Sequence, residues 1–253
     1  MIKSLDRISY LTNSLEEAEK TFSAFFGAKP LKKVISKDRN YESMLYGFEN
    51  MHFEIIKKND DSSEEDKLCG FSLLSDDLTL LNISTSYDEY ENNEESDNKT
   101  QLVKCIDIKQ SPDFQLSVNE YENFDMNPSN ENNLFALDHL VLTTNKSDAL
   151  INLYEKELGI RLALDQFVEK WGGRMLFFRT GHATIEVIDN KVEGNDQFWG
   201  LAWKTKDIRK KREYLVENGF NVSDVKDGRK KDTLVATVKF DKVKIPTLLV
   251  EHL

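Results

Sequence analysis

Cysteine is scarce: Cys69 and Cys105 are the only two in 253 residues. They show no short metal-binding spacing and sit in no secretory context, which points to reduced, structural thiols. Long apolar runs are missing as well. Nothing approaches the roughly 20 residues of a membrane-spanning helix, and residues 1–14 lack the apolar core of a signal peptide. A cytoplasmic location and no membrane association are therefore expected. Basic charge is in deficit, with 34 Lys and Arg against 45 Asp and Glu for a net charge of −11. A phosphate backbone or an anionic bilayer would be repelled overall, so nucleic acid is not an expected partner. There is no Gly-rich phosphate loop, hence no nucleotide cofactor is expected, and no Gly-x-Ser-x-Gly elbow.

What the chain does contain is a repeat. Sliding the sequence by 132 positions superposes Leu5-Asp6-Arg7 on Leu137-Asp138-His139, Thr12-Asn13 on Thr144-Asn145, Gly27 on Gly159 and Glu54 on Glu186. A shift of 130 brings Gly70 onto Gly200 and Asp77 onto Asp207. The clearest unit is 137–190. An apolar, β-branched strand at 136–144 precedes a helix in which Leu150, Leu153, Tyr154 and Leu158 recur until Gly159 stops it. Strands follow within 162–170, at 174–180 and at 183–189, the first two separated by Trp171-Gly172-Gly173. The order is βαβββ, and the repeats imply four such modules in two halves.

The same reading covers the other modules. In module one, Ser14 and Glu17 make a possible capping box for a helix burying Ala18, Phe22, Phe25 and Phe26, with strands at 31–36, 43–48 and 51–56. An acidic connector spans 58–67. Module two has strands near 68–74, 101–108 and 113–119, a short helix from Asp76 or Asp77, and an acidic stretch at 87–100 that reads as a solvated loop. Module four has a strand at 198–203, a helix at 207–218 and strands near 220–226, 233–240 and 246–252.

These modules resemble the vicinal oxygen chelate superfamily of glyoxalase I, extradiol dioxygenases and bleomycin-resistance proteins. The resemblance implies an α+β fold in which tandem βαβββ modules, four in all, form two glyoxalase-like cup-shaped domains. The expected boundaries are 1–126, a linker at 127–134, and 135–253. It also implies a divalent metal (Zn, Fe, Ni, Mn or Co) on the cup floor, with ligands from the first and fourth strands of paired modules. His139 and Glu186 match two of these positions. Gly200 and Leu249 fall in the other two and cannot ligate, so Glu251, two residues beyond Leu249 on the same strand face, is the expected third ligand. In the first half Arg7 replaces the histidine and is expected to pair with Glu54, while His52 reads as structural or surface.

The function so implied is a metal-dependent lyase or isomerase of the glyoxalase type acting on a small, anionic, oxygenated metabolite. Glu186 and Glu251 would move a proton, and Arg229, Lys230, Trp199 and Arg179 would contact the substrate. In an alternative reading His139 and Glu186 hydrogen-bond each other without metal, and the cup is a binding or sequestering site of the bleomycin-resistance kind. Modules can pair within a monomer or across a homodimer.

Overall fold

The computed structural model describes residues 1–59, 65–83, 86–94, 100–122, 134–169, 173–189 and 193–253. The first half contains β1 (Ile2–Leu11), α1 (Leu15–Phe26), β2 (Lys32–Ser36), β3 (Tyr41–Gly47), β4 (His52–Lys58), β5 (Lys67–Ser75), a 3₁₀ turn (Leu78–Leu80), β6 (Asp88–Glu94), β7 (Thr100–Ile108) and β8 (Gln115–Tyr121). The second contains β9 (Leu134–Thr144), α2 (Ser147–Ile151) running into a π-helical segment (Asn152–Glu157), β10 (Arg161–Val168), β11 (Gly173–Thr180) and β12 (Ala183–Asp189). It ends with β13 (Gln197–Thr205), α3 (Ile208–Glu217), β14 (Asn221–Val222), β15 (Lys226–Asp227), β16 (Thr233–Lys239) and β17 (Thr247–His252). This is βαβββ four times, with the helix of module two reduced to one turn and one strand of module four split into β14 and β15. Most of the expected linker falls outside the described residues, as do Trp171, Gly172 and parts of both acidic stretches.

The two halves differ in closure. In the second, the strand order β10-β11-β12-β9-β13-β17-β16-β14 leaves the sheet open. In the first, the order β1-β4-β3-β2-β6-β7-β8-β5 returns on itself as a barrel, because β2 pairs with β6 through Val34–Glu94 and Ile35–Asn93. The acidic stretch expected as a loop therefore supplies a strand over Asp88–Glu94. Alternation explains it: Tyr90 is buried while its neighbours Glu89 and Glu91 point to solvent, so a strand forms without burying those carboxylates.

Local signals set the helices. Ser14 caps α1 by accepting from Glu17 N, and Gly27 ends it at φ 73°. Only half of the expected capping box forms, since Ser14 N donates to Thr12 Oγ1 instead. The buried face of α1, Phe22, Phe25 and Phe26 among it, meets residues of the other half. Trp203 of β13 has ring centroids 5.1 Å from Phe26, 4.8 Å from Phe48 and 6.1 Å from Phe53. Asn50 hydrogen-bonds both the N–H and the C=O of Leu137, at 3.0 and 2.8 Å, as a neighbouring strand would. From α3, Lys211 Nζ donates to Phe25 O at 2.6 Å and Tyr214 Oη to Ala24 O at 3.0 Å. Burial pushes the Lys211 amine down to about 7, while the carbonyl end of α1 favours its cation. One continuous core thus joins the halves. Among the described residues, no helix is long and apolar enough to cross a membrane.

Candidate functional site

The repeated Leu-Asp-x motif is a β-bulge. On β9, pairing to β13 steps from His139–Ala202 to Leu137–Trp203, leaving Asp138 as an extra residue. On β1, pairing to β5 steps from Arg7–Ser72 to Leu5–Leu73, leaving Asp6 as the extra one. A bulge re-aims side chains, and here it lets an aspartate reach its own neighbour. Asp138 Oδ2 lies 2.9 Å from His139 Nδ1, and Asp6 Oδ2 lies 3.3 Å from Arg7 Nε.

In the open sheet His139 pairs in register with Thr184 of β12 and Ala202 of β13, and Arg179 of β11 pairs with Thr184. These residues form one row across the cup. Glu186, two residues beyond Thr184, lies in the next row with Val141 and Gly200. His139 Nε2 is 3.6 Å from Glu186 Oε2. On the other side Asp138 Oδ1 is 2.7 Å from His252 Nε2 and 3.8 Å from Lys204 Nζ. The result is a chain His252–Asp138–His139–Glu186 from the half-exposed end of β17 to the floor of the cup. Burial raises the Glu186 carboxyl above its ordinary range, opposed by the nearby His139 and Arg229. Burial also acts against the Asp138 carboxylate, but hydrogen bonds from His139 and His252 outweigh it and hold the group well below the usual range.

Not all expected site residues meet here. Glu251 is a correction: its Oε2 accepts from Ile208 N at 2.7 Å, at the start of α3. It shares the strand face of Leu249, and that face packs under the helices rather than lining the cup, so the carboxylate serves the helix N-terminus. Leu249 itself is fully buried in the core. Gly200 has a steric reason to be glycine, for a Cβ there would lie 2.6 Å from Pro246 O. Gly70 repeats the arrangement, at 2.5 Å from Gln115 O. We expect Gly200→Ala to lower stability by about 1–3 kcal/mol through overpacking, read from chemical denaturation. An unchanged midpoint would mean that this position has room for a side chain after all.

Among the proposed substrate contacts, Arg229 is exposed and its charge acts on Glu186. Arg179 is exposed on the cup row and donates to Thr184 Oγ1 at 3.1 Å. Lys230 is exposed in the turn before β16, where its carbonyl accepts from Thr233 Oγ1. Trp199 is half exposed, because the register shift between Phe198 and Gly200 makes it an unpaired bulge residue rather than a core partner of Trp203. Arg174 is committed to Asp165 and Asp148, both at 2.7 Å. The sequence reading overlooked Asp138 and His252. The repeated aspartate was visible, but its role depends on a bulge that pairing alone reveals.

For a metal, the test is the donor set. His139 and Glu186 converge, the remaining strand positions hold Gly200 and Leu249, and Glu251 is turned to α3. No cluster of three potential ligands occurs among the described residues. Two donors do not make the three-ligand centre of a catalytic metal. In the first half Arg7 Nη1 pairs with Glu54 Oε1 at 3.2 Å, as the sequence suggested. His52 is buried there. Both thiols are free, and burial pushes each up to about 12.

Paired βαβββ modules and an open cup in the second half define the glyoxalase-like fold. Residues 138–237 match the model of the Glyoxalase/Bleomycin resistance protein/Dioxygenase superfamily. A mutant of 4-hydroxymandelate synthase from Streptomyces coelicolor is similar over 99% of this chain and 93% of its own, with a TM-score of 0.72 at 12% identity. The Mn(II)-bound glyoxalase from Novosphingobium aromaticivorans is similar over 100% of this chain and 83% of its own, with a TM-score of 0.65 at 11% identity. No curated relative matches the chain. The family match thus covers part of the C-terminal half, and the likeness along the whole chain is one of fold, that of two fused glyoxalase-like domains.

Proposed function

We propose that the C-terminal cup binds a small, anionic, oxygenated molecule without a resident metal. The observation that carries this reading is the pairing already made by His139: Nδ1 with Asp138 at 2.9 Å and Nε2 facing Glu186 at 3.6 Å, with no cluster of three potential ligands among the described residues. The open sheet gives access, and Arg229 offers a planar, permanently charged fork to a carboxylate near Glu186. Asp138 orients the imidazole, so His139 and Glu186 can hold or pass a proton at the floor. The metal-dependent lyase or isomerase implied by the resemblance would need a donor that Glu251 does not provide.

The test is elemental analysis of untagged protein combined with calorimetric titration of small 2-oxo and 2-hydroxy acids. We expect well under one metal ion per chain, saturable binding, and an affinity loss of about tenfold in Arg229→Ala. Near-stoichiometric metal that disappears in His139→Ala would overturn the metal-free reading. Unchanged affinity in Arg229→Ala would remove the anion clamp.

A further inference from the structure

The closed N-terminal barrel carries features that the C-terminal cup does not explain. Its interior holds a cavity of about 80 Å³, open to solvent, lined by Arg7, Arg39, Tyr41, Phe71, Tyr90 and Ser117 among others. Glu54 faces the same space.

The charges in this cavity are already answered from within the protein. Arg7 reaches Asp6 at 3.3 Å, Glu54 at 3.2 Å and Tyr121 Oη at 2.5 Å. Glu54 accepts in addition from Ser43 Oγ at 2.8 Å and Ser9 Oγ at 3.4 Å. Arg39 stacks 4.1 Å over the Tyr90 ring and lies 3.6 Å from Asp107. An added anion would meet Glu54, and an added cation would meet two guanidiniums. Either would give up its hydration without an unclaimed counter-charge.

The hydroxyls of the lining carry no charge to be answered: Tyr41, Tyr90 and Ser117 all border the cavity. Polar groups in a barrel interior are ordinarily satisfied by protein, water or ligand, and these three hydroxyls, with the rings of Tyr41 and Phe71 in the same lining, form a set of donors and acceptors around a space of mixed polar and aromatic character.

We propose that this barrel is a second binding site, separate from the C-terminal cup, for a small uncharged polyhydroxylated molecule. Its hydroxyls would bond Tyr41, Tyr90 and Ser117, and its C–H face would lie against the aromatic rings. Closure through β2 and β6 gives the site walls on all sides, which the open sheet lacks.

The experiment is ligand-observed NMR followed by calorimetry on the full chain, using D-glucose, D-ribose and myo-inositol as neutral probes, with acetate, inorganic phosphate and methylamine as charged ones. The expected result is saturable binding of at least one neutral probe. Tyr41→Phe and Ser117→Ala, each checked by circular dichroism for an intact fold, should weaken it about five- to tenfold, the worth of a neutral hydrogen bond. His139→Ala should leave it unchanged. Folded protein that binds no neutral probe, or binds only the charged ones, would overturn the proposal. Binding that survives both cavity substitutions, or that is lost with His139→Ala, would place the polyol elsewhere and overturn it equally.

Discussion

Trp203→Ala is expected to lower the unfolding free energy by about 3–5 kcal/mol, the range for removing a large aromatic side chain from a core. Trp203 is 1% exposed and packs its indole on Phe26 and Phe48 of the other half at 5.1 and 4.8 Å. The lost contacts are therefore shared between halves. Equilibrium denaturation followed by near-ultraviolet circular dichroism should show the whole molecule shifting together. Trp199→Ala serves as the control: that ring is 51% exposed, and its loss should change stability by no more than about 0.5 kcal/mol. Equal losses in the two variants, or a second half that unfolds at lower denaturant while the first is unmoved, would contradict a common core.

The second large effect is acid sensitivity of the N-terminal barrel. His52 is 5% exposed, and burial pushes its pKa down to about 4. Asp6 and Glu54 work against that shift, while Arg7 and Lys32 add to it. The sign follows from proton binding. Between about pH 6.5 and 4 the unfolded chain protonates His52 and the folded barrel does not, so acid favours the unfolded state. The stability is complete above about pH 6.5 and falls, as pH is lowered to 4, by about 3 kcal/mol from this group. Asp6 acts in the same direction but at lower pH. Burial alone would raise its carboxyl; Arg7, Ser72 and Tyr121 outweigh that and hold it below its ordinary value, so its contribution is lost only in stronger acid. Denaturation midpoints measured from pH 7.5 to 4 should therefore fall steeply in the wild type and less steeply in His52→Gln, whose amide does not titrate. Parallel curves for the two proteins would show that His52 is not the acid-sensitive group.

Much of this architecture was legible because it rests on short-range patterns. The phenylalanines at helical spacing, the Ser14 cap and Gly27 specify α1 within one segment, and the Leu-Asp-x repeat marks the first strand of each half. The pairing of Arg7 with Glu54 followed from the same alignment, since a cation and a carboxylate occupied slots that face each other in the homologous module. The closed barrel was not legible. An acidic run with a single inward tyrosine reads as solvated until β2 and β7 offer it partners on both edges. The exposure of Trp199 has a related cause, because strict alternation would put it on the face of Trp203, and a bulge breaks that alternation.

The sequence by itself determined the βαβββ order, the four modules and the two residues, His139 and Glu186, that meet on the cup floor. Those properties depend on periodicity and on a repeat, which survive being read one residue at a time. Only the tertiary structure decided that Asp138 and His252 complete their chain, that Glu251 serves α3, that a side chain at position 200 would strike Pro246, and that one barrel closes while the other sheet stays open. Each of these depends on which distant backbone lies beside a residue, and that is set by strand register and packing rather than by the residue's own neighbours in the chain.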